Sequence, residues 1–227
     1  MTGARGFIGS WVIRRLVREG AGVVGADITT TDHRLRQILD QGQAQQVEFV
    51  RLDVTDPDAV TGLLERFQFN RIIHLAGLQT LACRTDPVLG AMVNVAGTVA
   101  MFQAAKRTGF DGHLVYASST ATYELGDGYT IAGEQPRGTP GTLYGVYKLA
   151  NERSATVFWE EDQVPSIGLR PFVVYGVGRY EGLTAGLTDA MRAAALGDEY
   201  QIPFGGRTQL HYVDDVAAAF IAANVPL

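Results

Sequence analysis

Residues 3–9 read Gly-Ala-Arg-Gly-Phe-Ile-Gly and run straight into a stretch of helical period, 8–19, with Ile8, Trp11, Val12 and Leu16 on one side. Glycine at the first, fourth and seventh places has a specific physical use. Gly3 permits a tight turn, Gly6 lets the backbone approach a pyrophosphate, and Gly9 lets the helix pack close to a sheet. The free N–H groups of Phe7 and Ile8, at the positive end of the helix dipole, then face the anion. Asp27 ends the next β-branched run, about twenty residues on, where an acid accepts hydrogen bonds from adenosine ribose hydroxyls. An acid there also repels a 2′-phosphate, so the pair points to NAD over NADP.

Short β-branched runs alternate with longer stretches of helical period along the chain, the pattern of a parallel α/β sheet. Candidate strands are 22–28, 47–52, 71–75, 113–118 and 166–172, each rich in Val, Ile or Leu as a strand covered on both faces should be. Asp56-Pro57 and Asp86-Pro87 each supply a helix start, with Asp as N-cap and Pro at the first position. Residues 144–158 predict another helix, and Asp214 or Asp215 a cap for a last one reaching Asn224. The Gly-rich stretches 124–141 and 175–186 predict functional loops. The expected fold is a Rossmann-type doubly wound parallel sheet, with 1–172 as the NAD-binding domain and 173–227 as a partial substrate lobe interleaved with the last sheet elements. A dinucleotide turn should follow a strand, yet only Met1 and Thr2 precede Gly3. The expectation is that the first strand is missing and that both ends of the chain are shortened.

Composition narrows the function classes. The 227 residues are 46% hydrophobic with a net charge of −5, which argues against a general nucleic-acid binder. One cysteine, Cys83, excludes an intrachain disulfide, and no His/Asp/Glu cluster has metal-ligand spacing. No apolar run reads as a membrane helix and no secretory leader opens the chain, so the expected location is cytoplasmic.

Tyr144-Gly-Val-Tyr-Lys148 sets a phenol and an ammonium one helical turn apart. A lysine beside a tyrosine favours the phenolate and makes it a general base or acid. Ser118, Ser119 and Thr120 follow a buried-type strand at its C-terminal end, where open α/β sheets bind ligands.

In order, the motifs T-G-A-R-G-F-I-G (2–9), Asp27, L-D-V (52–54), H-L-A-G (74–77), Asn94, Y-A-S-S-T-A-T (116–122), Tyr144/Lys148, L-R-P-F-V-V-Y-G (169–176) and Y-V-D-D-V-A (212–217) accumulate. The chain resembles the extended short-chain dehydrogenase/reductases, the NAD-dependent epimerase/dehydratase family, over essentially its whole length. The resemblance implies that Asp53 and Val54 flank the adenine, and that Leu75, Ala76 and Gly77 line the phosphate–ribose region with Arg5 and Ser118 nearby. It implies that Tyr144 exchanges the substrate proton, Lys148 binds the nicotinamide ribose, and Thr120 is the catalytic hydroxyl. Backbone around Phe172 and Val174 would border the nicotinamide, with Asn94 behind the site. The implied activity is hydride transfer at a secondary alcohol of a sugar or sugar derivative, by a dehydrogenase or an epimerase. Retention of Tyr144 and Lys148 argues against a non-catalytic NAD sensor, while the short ends raise an inactive fragment.

Departures from the family pattern bear on the substrate. Val173 and Thr208 stand where sugar-nucleotide members commonly carry Asn and Arg for the diphosphate, although Arg207 is adjacent. Losing such donors costs ~1.5–3 kcal/mol each, so a nucleotide-sugar epimerase proper is the alternative to a smaller sugar substrate. Ala121 and Thr122 lack the carboxyls of the sugar dehydratases. Cys83, Arg84, Ser119, Arg179, Arg207 and His211 are the candidate substrate contacts, while His74 reads as a satisfied, partly buried histidine. Met92, Val95, Val99 and Phe102 fall at helical spacing; the resemblance implies a helix-pair homodimer built with the Tyr144 helix, and burial within one chain explains the stripe as well.

Overall fold

The computed structural model describes residues 1–123, 139–206 and 208–224. Strands β1 (Val23–Asp27) and β2 (Val47–Arg51) pair in parallel, with Val23 opposite Val47 and Asp27 opposite Arg51. Strands β3 (Arg71–His74), β4 (His113–Ala117) and β5 (Ser166–Leu169) form a second parallel set in that order. The expected first strand has a two-residue counterpart. Thr2 bridges in parallel to Ala26 on one side and His74 on the other. Its N–H donates to the Ile73 carbonyl at 3.0 Å, and the Ala26 N–H to the Met1 carbonyl at 2.8 Å. The order is therefore β2-β1-Thr2-β3-β4-β5, continuous through one bridging residue.

Helices cover both faces, as parallel strands require. On one face α1 (Phe7–Arg18) packs with α10 (Val213–Ala222), burying Phe7, Trp11, Val12, Val213 and Phe220 against Ile73 and Val115. On the other, α4 (Pro57–Phe67), α7 (Gly97–Arg107) and α8 (Leu143–Asp162) enclose Val60, Leu64, Met101, Phe102 and Leu114. Phe102 stacks on Phe158 with ring centres 5.3 Å apart and meets Tyr116 edge-on at 5.7 Å. Phe102 is thus fully buried in the core, and the stripe expected at a dimer interface divides: Met92 is exposed, Phe102 is not.

Both Asp-Pro starts hold. Asp56 accepts from Asp58 N and Ala59 N, and Asp86 accepts from Leu89 N at 2.9 Å. The last helix differs: Tyr212 is its N-cap without a side-chain bond, because Asp214 is drawn off by Arg15 at 2.7 Å. Residues 87–107 form one helical run, α6 (Pro87–Ala91), a π segment (Met92–Ala96) and α7. By length and composition alone this run would span a membrane, which the sequence reading did not anticipate; here half of it is buried in the core. Short helices α2 (His33–Ile38), α3 (Gln41–Ala44) and α5 (Thr80–Thr85) fill the connections. The run expected as one strand over 166–172 ends at Leu169. Beyond it β6 (Val173–Tyr175) pairs with β7 (Leu210–Tyr212), with α9 (Gly186–Leu196) between them.

Candidate active site

The glycine turn is held against the end of β3. Gly3 takes φ +66°, and a β-carbon there would stand 2.7 Å from Ala76 N. A β-carbon on Gly9 would run into the Gly3 carbonyl oxygen, so the helix and its own turn touch only because both residues lack one. At the start of α1, Gly6 is the N-cap with no side-chain bond, and the first turn holds no acid. Its N–H groups and dipole are left for an external anion. Ile8 turns into the packing against α10, so only its backbone faces that side.

Asp27 stands beside this turn, its carboxylate accepting from Arg5 N at 2.8 Å and Thr29 N at 3.1 Å. The Arg5 guanidinium lies over the Phe49 ring, 4.3 Å from its centre. Asp53 accepts from Thr55 N and Oγ1 at 2.9 and 2.7 Å, which hold its carboxyl below the ordinary value. The Val54 side chain is buried beneath Gly97, whose β-carbon would come within 2.8 Å of it.

Tyr144 and Lys148 project from the first turns of α8. Lys148 is buried and donates to the Ala117 carbonyl at 2.7 Å; burial pulls its pKa to about 8. Its Nζ is 5.7 Å from the centre of the Tyr144 ring. The expected lowering of the phenol by this lysine is not what governs it. Burial pushes the Tyr144 phenol above its ordinary value, and the groups opposing that are the Ser119 hydroxyl and the Arg179 charge. Gly77 closes the gap to the glycine turn, since a β-carbon on it would lie 3.4 Å from Lys148 Nζ and 2.7 Å from Asn94 Oδ1. Asn94, on the π segment, spends its Nδ2 on Leu78 O, Gly90 O and Cys83 Sγ, leaving Oδ1 without a partner among the described residues.

The three hydroxyls after β4 part company. Ser118 is buried and donates to Glu152. Glu152 is paired at 2.6 Å with Arg170, which donates at 2.7 Å to the Tyr123 hydroxyl. Ser119 is the hydroxyl beside Tyr144. Thr120 turns to Pro171 O at 3.5 Å and lines a separate cavity of about 620 Å³ at the β5 edge, together with Glu152 and Arg170. Sequence reasoning missed Glu152 and Arg170. The signal was available, because Glu152 lies one turn beyond Lys148 on the same helix.

The remaining expected residues scatter. Cys83 is fully buried with its thiol on Asn94 and Leu78 O, and burial pushes its pKa up, so it offers no surface to a substrate. Arg84 is exposed on α5. His211 Nδ1 accepts from Phe172 N at 3.3 Å, and Val174 points into the core beneath β6. Arg179 lies over Phe7 with its guanidinium 5.6 Å from the ring centre. Arg207 lies outside the described residues. His74 is wholly buried, bridging Thr2 Oγ1 at 2.7 Å and Thr98 Oγ1 at 3.2 Å. Thr98 already donates to Asn94 O, which fits a neutral imidazole protonated on Nε2. Burial lowers the pKa of His74 to about 3.

A doubly wound parallel sheet with a glycine turn opening its first helix, and a Tyr-x-x-x-Lys pair across the strand ends from that turn, defines a dinucleotide-dependent oxidoreductase of the extended short-chain type. The chain belongs to the NAD dependent epimerase/dehydratase family, whose sequence model matches residues 1–224. It is 31% identical to the UDP-glucose 4-epimerase of Mycolicibacterium smegmatis over 230 residues, covering all of this chain and 72% of that protein. It is 31% identical to UDP-glucuronate 4-epimerase 6 of Arabidopsis thaliana over 182 residues, 78% of this chain and 39% of that one. Among solved structures, the Thermus thermophilus UDP-glucose 4-epimerase complex with NAD superimposes with a TM-score of 0.84 at 26% identity, covering 100% of this chain and 74% of that one. A partial-consensus L-threonine 3-dehydrogenase superimposes at 0.85 with 21% identity, covering 100% and 71%, a likeness of fold alone.

Proposed function

We propose that this protein uses NAD to oxidise a secondary alcohol of a sugar or sugar derivative, with Tyr144 as the proton acceptor. The observation that carries the reading is a chain of close approaches from the glycine turn to the lysine. Gly3 abuts Ala76, and Gly77 abuts Lys148. The anion-binding turn and the phenol-bearing helix therefore line one groove. The residues present fit the dinucleotide: β-carbons on Gly3 and Gly9 would run into backbone, α1 has an uncapped start, and Asp27 stands beside it with two carboxylate oxygens.

NAD, when bound, supplies the hydride acceptor. Tyr144, as phenolate, takes the proton of the substrate hydroxyl at its Oη. Ser119, not Thr120, donates a hydrogen bond to the oxygen that becomes a carbonyl, because its hydroxyl is the one at the phenol. Lys148, fixed by Ala117, holds the ribose of the cofactor, and the Ser119 hydroxyl and the Arg179 charge favour the phenolate against burial. Asn94 Oδ1, facing Gly77, is placed to take part in a proton path behind the lysine. Leu75, Phe172 and Val174 contribute backbone to the cofactor groove, and the segment between β6 and β7 contributes the substrate side, while α10 belongs to the core. Apolar Leu89, Met92 and Val146 stand exposed on α6, the π segment and α8, which supports a homodimer through that face. A cytoplasmic setting belongs to the same reading.

The relatives named for UDP-sugar 4-epimerisation make UDP-glucose and UDP-glucuronate the first substrates to try; Val173 and Thr208 favour smaller sugars and sugar acids in parallel. Incubation with NAD separates the outcomes. Accumulating NADH marks a dehydrogenase, and isomerised product without net NADH marks an epimerase. Tyr144→Phe is expected to lower turnover by roughly 10²–10⁴-fold with NAD affinity retained; undiminished turnover overturns the assignment.

A further inference from the structure

Arg179 stands in the loop between β6 and α9, and its charge, with the Ser119 hydroxyl, opposes the upward shift of the Tyr144 phenol. Its guanidinium rests on Phe7, the first residue of α1, 5.6 Å from the ring centre. One nitrogen, Nη2, donates to Thr184 Oγ1 at 3.3 Å within the same loop. Another, Nε, is buried without a hydrogen-bond partner among the described residues. The acid close in sequence, Glu181, is engaged by Arg34 at 3.4 Å, and Arg34 adds like charge rather than relief. Gln79, the N-cap of α5, faces the same point. A β-carbon on Gly182 would stand 3.0 Å from Arg179 Nη2 and would overlap Gln79 Oε1.

A cation set down in this way, with a buried open donor, is costly unless an anion meets it. Burial accordingly depresses its pKa. The anion position that this chain builds beside Phe7 is the start of α1, with its uncapped Gly6 and acid-free first turn. The guanidinium, carried by the substrate-side loop, rests on the side chain of the residue that opens α1, next after the uncapped Gly6. Arginine suits the task, because its planar fork meets phosphate oxygens two at a time.

We propose that Arg179 clamps the pyrophosphate of the bound dinucleotide against the start of α1, so that the 176–185 loop closes over the cofactor as well as bordering the substrate. The proposal rests on the NAD reading above. A carboxylate or phosphate on the substrate is the rival anion, and the two sources separate experimentally.

Binding of NAD, ADP and adenosine to the full chain, measured by calorimetry in the absence of substrate, provides the test. Arg179→Gln is expected to weaken NAD and ADP by about tenfold or more, as lost charge-assisted bonds to phosphate do, and to leave adenosine within about twofold. Gln79→Glu provides a second route at an exposed position, where folding is not at stake. Its carboxylate neutralises the guanidinium and should weaken NAD and ADP likewise. If both variants hold NAD and ADP within about twofold of wild type, the clamp is overturned, and a rise confined to the substrate KM then assigns Arg179 to the substrate. Wild-type protein that binds neither NAD nor ADP overturns the dinucleotide reading itself, a failure visible before any variant is made.

Discussion

Lys148 reaches from the second turn of α8 to the carbonyl oxygen of Ala117, 2.7 Å away at the end of β4. The ammonium is thereby tied to the strand end from which the hydroxyl segment departs. Charge in that place is held against its solvation, which is why its pKa falls from 10.5 to about 8.

The first prediction follows from that depression. The unfolded lysine keeps its proton up to the ordinary value, whereas the folded one releases it near 8, so unfolding takes up protons between these limits and stability attributable to this group rises with pH across them. Wild type should gain on the order of 2–4 kcal/mol relative to Lys148→Met between pH 8 and 10.5. Denaturant midpoints at several pH values measure it, and parallel curves for the two proteins would refute it.

The two neighbouring hydroxyls should behave differently. Ser119→Ala removes the group beside the phenol and should cut kcat by about 10–100-fold with little change in stability. Thr120→Ala touches the cavity at the β5 edge and should leave kcat within about threefold. Steady-state kinetics on whichever substrate is turned over decides, and equal losses would show that the hydroxyl assignment is wrong.

His74 makes the protein acid-sensitive. Its folded pKa of about 3 lies below the unfolded 6.5, so the neutral ring contributes stability that is fully present above 6.5 and is lost as pH falls toward 3. The loss should reach on the order of 3–5 kcal/mol. A His74→Gln variant should show a shallower fall across this window in thermal unfolding; an unchanged slope would place the acid sensitivity elsewhere.

Much of this arrangement was legible in the chain itself, for identifiable reasons. The five β-branched runs each held a strand, the fifth only as far as Leu169, because strands in a parallel sheet are rich in Val, Ile and Leu. Asp56-Pro57 and Asp86-Pro87 marked helix starts because cap chemistry is local. The glycine turn was legible because the missing side chains of Gly3 and Gly9 answer close approaches of backbone that nothing larger permits. What stayed hidden depends on distant partners. Asp214 looked like a cap until Arg15, 199 residues away, claimed it. The phenol's pKa was read from its neighbour in sequence, yet burial, a property of the whole fold, sets its direction. Ser119 and Thr120 are alike as residue types, and only the path of the backbone toward Pro171 separates them. α2, α5 and α9 were missed because they are short or Gly-led and carry little apolar period.

The carboxylate of Glu152 carries a consequence beyond its own contacts. By gripping Ser118 and Arg170 together, it welds the segment that bears Ser119 to the helix that bears Tyr144. Hydroxyl and phenol then travel as one rigid part, their separation fixed before any ligand arrives. Little rearrangement remains for the reacting groups themselves, and what a substrate has left to move lies on the opposite lip of the groove.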